Sequence, residues 1–267
     1  MKQNIYDDPV FFECYRELRK NEAGLNAAIE EPAVMSLLPD LRARSILDLG
    51  SGFGEFCRFA RARGAAHVIG VEISAKMIAE ATNRTTDSGI TYLHTAIEDY
   101  HIGENAFDLV VSRLTLHYVK DYREVVLVVF RGLREGGSFV FSVEHPICTA
   151  LCHGWHEDEN GNQLFWPVDS YQKEGERTHH WFVDGVVKHH RTVATYVNTL
   201  LEAGFRLTGL LEPHAGENIP EDRLDLRGAA RRPPLLIIAA RKSASPGGAD
   251  NSGPSLGAGN QSGLAVD

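Results

Sequence analysis

The sequence predicts an α/β fold: a doubly wound, mostly parallel sheet of seven strands, with a cap inserted after the fifth. Three observations carry that prediction. Short apolar runs rich in Val, Ile and Leu alternate with helical segments between residues 41 and 143. A glycine cluster, Gly50-Ser51-Gly52-Phe53-Gly54, interrupts the chain directly after the first such run. The alternation stops at Glu144 and resumes at Val193, and the stretch between is rich in His, Trp and charge. Strands that alternate with helices across short turns make a parallel sheet covered on both faces.

Taken in order, residues 1–40 read as a helical segment. Phe11, Phe12, Tyr15 and Leu18 recur at helical spacing, and a second helix starts near Glu30-Glu31-Pro32 and stops before Pro39. Ser45 to Leu49 is the first strand, Glu55 to Arg63 a helix stopped by Gly64, and His67 to Val71 the second strand. A helix over Ala75 to Asn83 leads to strands at Ile90 to Leu93 and Phe107 to Val111. Tyr122 to Leu133 is helical, and Ser138 to Val143 follows the Gly136-Gly137 turn as the fifth strand.

Residues 144–192 form the expected cap. Within it, Arg177 to Val183 and Val186 to Thr192 flank Asp184-Gly185, a strong hairpin-turn signal that would set Trp181 opposite Lys188 and His180 opposite His189. A helix over Val193 to Ala203 and strands at Arg206 to Leu211 and Leu235 to Ala240 complete the α/β domain, which is made of 41–143 and 193–241. Residues 243–267 have almost no apolar content and are expected to be disordered, since they cannot bury enough surface to offset their ordering entropy.

The composition excludes several function classes. A formal charge of −9 with scattered Lys and Arg argues against a nucleic-acid partner, which needs clustered cations. No apolar run is long enough for a membrane helix, and the N-terminus lacks the layout of a secretory signal. A cytoplasmic protein, monomeric or homodimeric, that acts on a small molecule is the expectation. Four cysteines do not make a disulfide framework. His145, Cys148, Cys152 and His153 are soft ligands close together, but their spacing fits no structural zinc motif, and no metal is expected.

The chemistry starts at the glycine loop. It follows a strand and precedes a helix, and Glu72 lies at the end of the second strand, where an acid can accept hydrogen bonds from both hydroxyls of a ribose. Two nucleoside cofactors compete for such a site. A nicotinamide dinucleotide, and hence an NAD(P)-dependent oxidoreductase, would put a pyrophosphate against the loop, uncomfortably close to Asp48. S-adenosylmethionine carries an ammonium and a sulfonium instead, so Asp48 helps to hold it.

On these residues the chain resembles the class I S-adenosylmethionine-dependent methyltransferases, in particular the small-molecule branch that includes the ubiquinone/menaquinone-type enzymes. The resemblance covers about residues 40–145 closely and 193–241 in outline. It implies a Rossmann-like methyltransferase fold with S-adenosylmethionine as cofactor. Asp48, Gly50, Ser51 and Gly52 match the family's first motif, and Glu72 its ribose-binding acid. Ile73 follows that acid, and Ser74 and Met77 match a stretch that walls the adenine. Ala96-Ile97-Glu98-Asp99 matches the element whose backbone N–H and acidic side chain read the adenine edge; the usual Asp is Ala96 here, so Glu98 is expected to take its role beside Ile97. Ser112 to Leu114 matches the turn facing the methionine end. Tyr6, Tyr15 and Arg19 are expected to close over the cofactor.

Such a donor is already activated, so a base is needed only where the acceptor must lose a proton. His117 is the candidate catalytic base, the alternative being a histidine that shapes the pocket floor. With His145, Trp181 and His190 it is also expected to bind the acceptor, a small aromatic or heterocyclic O, N or S nucleophile. A chain that binds S-adenosylmethionine without transferring methyl is the remaining alternative.

Overall fold

The computed structural model describes residues 2–20, 24–151, 153–215, 219 and 223–243. The seven-stranded sheet contains β1 (Ser45–Leu49), β2 (His67–Glu72), β3 (Ile90–His94), β4 (Phe107–Arg113), β5 (Leu133–Glu144), β10 (Phe205–Leu211) and β11 (Leu235–Lys242). Its spatial order is β10-β11-β5-β4-β1-β2-β3. Pairings from β3 through β5 are parallel, while β11 runs antiparallel to both β5 and β10. The order reverses between β1 and β4, which opens a crevice at the carboxyl ends of these strands.

The central strands are apolar on both faces, and their alternation divides the core in two. Leu47, Leu49 and Val110 face Val125, Val126 and Val129 of α5 (Tyr122–Gly132) and Tyr196 and Leu200 of α7 (Val193–Glu202). Ile46, Leu109 and Val111 face Val34 of α2 (Glu31–Leu37) and Phe56, Cys57 and Ala60 of α3 (Glu55–Ala62). Each of these residues is nearly or fully buried. Burial on that scale, about 1.5–3 kcal/mol per large side chain, holds the strand ends rigid beneath the crevice.

The N-terminal segment is helical, as expected: α1 spans Pro9–Lys20 after a short turn at Ile5–Asp7. Phe11 and Phe12 are buried, but Leu18 is exposed and is no part of the packed face. The segment docks through Asp7 on the N-terminus of α4 (Ala75–Asn83). Asp7 accepts from Ser74 Oγ at 2.6 Å and from the backbone N–H groups of Lys76 and Ala75 at 3.2 and 3.3 Å. An acid there satisfies helix donors that otherwise lack partners.

Glu144, expected to open the cap, still pairs in the sheet opposite Leu235; residues 145–192 then leave it, carrying α6 (Pro146–Leu151), a short β6–β7 pair (His156–Glu157, Gln163–Phe165) and the hairpin β8 (Gly175–Trp181) and β9 (Val183–His190). The hairpin turns elsewhere than expected. Arg177 stands opposite Lys188, Glu176 opposite His189 and Trp181 opposite Val183, with Phe182 at the tip at φ 61°. Asp184 and Gly185 instead form a bulge opposite His180, whose ring contacts Asp184 at 2.7 Å. Phe182 packs edge-on to Phe11 and stacks on Trp181, so docking on α1 outweighs the local turn preference. Helix α8 (Leu224–Arg231), like α6, was not read from sequence. The tail expected to be disordered, beyond 243, lies outside the described residues.

Candidate active site

The crevice is a cleft of about 1920 Å³ beneath the N-terminal segment and the hairpin. Its floor begins at the glycine loop, where Gly50, Gly52 and Gly54 all have positive φ, at 82°, 52° and 72°. A Cβ on Gly50 would stand 2.2 Å from Thr115 Oγ1, so the loop packs against the turn after β4 only without a side chain. A Cβ on Gly52 would meet only Met77 Sδ, at 3.6 Å, so the loop backbone faces open cleft there.

Glu72 is the pivot of this floor. Its carboxylate accepts from Gly52 N–H at 3.0 Å and Ser74 N–H at 2.9 Å, which ties the loop to the start of α4. Burial pushes its carboxyl above the ordinary range against those two donors. Asp48 is 2 % exposed and borders a small side chamber shared by Arg19, Tyr15 and the loop. Burial raises its carboxyl to about 7, and neither the Cys57 thiol, donating at 3.4 Å, nor Arg113 offsets that. Ser51 Oγ, in the same chamber, is buried and has no hydrogen-bond partner among the described residues.

The remaining expected cofactor residues divide. Tyr15, Ile73, Met77, Ile97, Glu98 and Leu114 line the cleft, and Arg19 pairs with Glu55 at the chamber. Leu114 holds φ 52°, a conformation costly for a non-glycine residue, at the edge of the loop. Ser112 does not reach the cleft: its Oγ donates to Leu49 O at 2.8 Å, clamping β4 to β1.

The other arm of the cleft holds His117, Glu144, His179, Trp181 and Lys188. Lys188 Nζ donates to Glu144 Oε2 at 2.6 Å and lies 5.5 Å over the Trp181 ring. Burial alone would raise the Glu144 carboxyl, but the charge and hydrogen bond of Lys188 hold it below the usual range. His117 Nδ1 accepts the backbone N–H of Glu144 at 3.3 Å. Burial, then the charge of Lys188, pushes this imidazole down to about 3. The ring is therefore neutral near pH 7, and with Nδ1 accepting, its proton sits on Nε2. In this arrangement His117 offers a donor rather than the lone pair expected of a base.

Two expected acceptor residues are structural. His145 is buried outside the cleft, with Nδ1 accepting from Ile147 N–H at 3.1 Å and Nε2 against Glu212 at 2.8 Å. His190 is fully buried between Thr149 Oγ1 at 2.7 Å and the Tyr171 carbonyl at 2.9 Å, joining the cap together. Both rings use both nitrogens, which spacing in the chain does not reveal.

A methyltransferase domain model matches residues 47–141. A structure from Mesorhizobium loti, an S-adenosylmethionine-dependent methyltransferase, is 41% identical with a TM-score of 0.74, covering 79% of this chain and 97% of that one. A Listeria monocytogenes structure provisionally assigned to the same class is 40% identical, with a TM-score of 0.76 and coverage of 80% and 97%. An uncharacterized protein of Haemophilus influenzae is 34% identical over 90% of this chain and 98% of its own length. The chain belongs to the S-adenosylmethionine-dependent methyltransferases. A nicotinamide-dependent oxidoreductase is thereby set aside.

The methyltransferase's own residues fit S-adenosylmethionine. A buried carboxyl at Asp48 is costly to ionise alone and suits an ammonium group beside it. The orphaned Ser51 hydroxyl and the open Gly52 backbone suit a polar ligand lying along the loop, and Glu72 suits a ribose. His145, Cys148 and His153 do not converge: no group of three metal-ligating side chains forms among the described residues, and Cys152 lies outside them.

Sequence reasoning passed over Glu30, Glu144 and His179. Glu30 is fully buried, forms a two-point ion pair with Arg113 and accepts from Ser142 Oγ at 2.7 Å. A carboxylate at the foot of a helix carries no local signal of that pairing, 83 residues away. Glu144, the last residue of the fifth strand, was findable: strand-end acids in this architecture face the ligand.

Proposed function

We propose that the enzyme transfers the methyl group of S-adenosylmethionine to a small, planar, nucleophilic acceptor lying against Trp181. The resemblance to the ubiquinone/menaquinone-type branch points the same way. The observation that carries the reading is the continuity of the cleft, from the glycine loop and Glu72 to the arm lined by His117, Glu144, Trp181 and Lys188. Bound S-adenosylmethionine supplies a methyl group activated by its sulfonium. The chain must align the nucleophile, exclude water and accommodate any proton that leaves.

On this proposal Asp48 holds the ammonium, Glu72 the ribose, and Ile73, Met77, Ile97 and Glu98 the adenine. Leu114 borders the methionine end, with Tyr15 and Arg19 closing from α1. Trp181 provides the face for the acceptor, and His117 orients it by donating from Nε2. Among the described residues Glu144 Oε1 has no hydrogen-bond partner, so Glu144 is the group available to receive a proton. Held low by Lys188, it serves an acceptor that is acidic or becomes so as the new bond forms. No helix among the described residues is long and apolar enough to cross a membrane. The charge of −9 supports a small-molecule acceptor over a nucleic acid, and the proposal has the enzyme cytoplasmic and monomeric or homodimeric.

The test is a screen of phenols, thiols and N-heterocycles for S-adenosylhomocysteine release, followed by Trp181→Ala. The variant is expected to raise acceptor KM about tenfold and leave the KM for S-adenosylmethionine unchanged. An unaltered acceptor KM overturns the placement of the acceptor.

A further inference from the structure

Arg232 follows α8 and lines the acceptor arm of the cleft. Its guanidinium lies 3.7 Å over the Trp166 ring and 5.6 Å from that of Trp155, and Nη1 donates to Cys148 Sγ at 2.8 Å. Nε is buried and has no hydrogen-bond partner among the described residues. Of the other cations along the cleft, Arg113 is matched by Glu30, Lys188 by Glu144 and Lys2 by Asp99, and Lys120 is exposed to solvent. No carboxylate lies within ion-pair distance of Arg232 among the described residues. Cys148 does not supply the missing charge, because burial raises its thiol to about 12 despite Arg232.

A guanidinium stacked on the Trp166 indole, with the Trp155 ring set perpendicular to Trp166 beside it, is fixed in direction, and its fork of donors matches the paired oxygens of a carboxylate or phosphate. Leaving such a charge partly desolvated without a counter-ion is costly, so the site is complete only with an anion in it. Its place in the fold connects it to the chemistry. Pro234 O accepts from His145 N–H at 2.9 Å and Leu235 pairs with Glu144, so Arg232, three residues before Leu235, enters the cleft from the strand end that carries Glu144. Resting on the proposed acceptor site, we infer that Arg232 is a specificity residue: the methyl acceptor carries an anionic group, a carboxylate or a phosphate monoester, which the guanidinium binds while the nucleophile lies near His117 and Trp181.

The full chain saturated with S-adenosylhomocysteine is titrated with 4-hydroxybenzoate, phenyl phosphate, neutral 4-hydroxybenzamide and the aliphatic dianion glutarate. One of the aromatic anions is expected to bind at least tenfold more tightly than the amide, and which one distinguishes carboxylate from phosphate. Arg232→Gln is expected to abolish that preference and Arg232→Lys to restore part of it, with the affinity for S-adenosylhomocysteine and the thermal midpoint unchanged. A purely structural arginine would move the midpoint and not the preference. Arg232-dependent binding of glutarate in place of the aromatic acids supports the subsite and refutes the planar acceptor. Equal binding of amide and acids, a preference that survives Arg232→Gln, or no anion bound at all overturns the inference.

Discussion

Asp48 lends itself to a test in which stability and binding move in opposite directions. The perturbation is Asp48→Asn, which keeps the shape and an acceptor for the Cys57 thiol but removes the charge. Burial holds the Asp48 carboxyl at about 7 in the fold, against 3.8 ordinarily. Because the folded chain keeps this proton to higher pH than the unfolded chain, the associated stability is present below the ordinary carboxyl range. It is lost as pH rises through 7. At 1.36 kcal/mol per pH unit, the ionised carboxylate costs the free enzyme about 4 kcal/mol at pH 8. The asparagine variant should therefore be the more stable protein at pH 8, with a melting temperature several degrees higher. Its advantage should shrink by about 3 kcal/mol on going down to pH 5.

Binding should go the other way. A charge-assisted hydrogen bond to the ligand's ammonium contributes about 1.5–3 kcal/mol, so affinity for S-adenosylhomocysteine should fall about 10- to 100-fold. In the wild type, affinity should weaken as pH falls below 7, because the ligand must then displace a proton. Urea unfolding at pH 5 and 8, with calorimetry at both, measures all of this. A stability gap that does not change with pH, or an affinity within twofold of wild type, would refute the reasoning.

Further outcomes are expected at Glu30, Asp7 and His117. Glu30→Ala leaves Arg113, largely buried at the cleft end of β4, with only the longer contact to Glu31 at 3.9 Å and should cost about 3 kcal/mol in urea unfolding, most of it regained in a double variant with Arg113→Met; equal loss in both refutes the pairing. Asp7→Ala removes the acid on the N-terminus of α4 and should cost about 1 kcal/mol. The same variant should speed trypsin cleavage at Arg16, Arg19 and Lys20, an effect absent if the N-terminal segment docks by α1 alone. Since His117 is held down to about 3, kcat at saturating cofactor should show no inflection near pH 6.5. His117→Gln should lower turnover and spare S-adenosylhomocysteine binding; an inflection that vanishes in this variant would restore His117 as the base.

The alternation of apolar runs and helices determined the sheet, its parallel core and the place of the cap, because period and burial are written locally along the chain. The glycine loop, Asp48 and Glu72 were legible for the same reason: a turn that needs positive φ admits few residues, and the acids stand at fixed distances from it. The other arm of the cleft was legible only in part: His117 and Trp181 line it, whereas His145 and His190 do not. Whether a histidine is free or spent depends on what faces both of its nitrogens. For His145 and His190 those partners come from Glu212, Thr149 and Tyr171, brought together only by folding. The hairpin shows the same limit, since Phe182 takes the turn by packing on Phe11 of a distant helix although Asp184-Gly185 has the better local chemistry. Local conformational preference is worth about 1 kcal/mol, and burying an aromatic ring is worth more; where the two compete, tertiary packing decides.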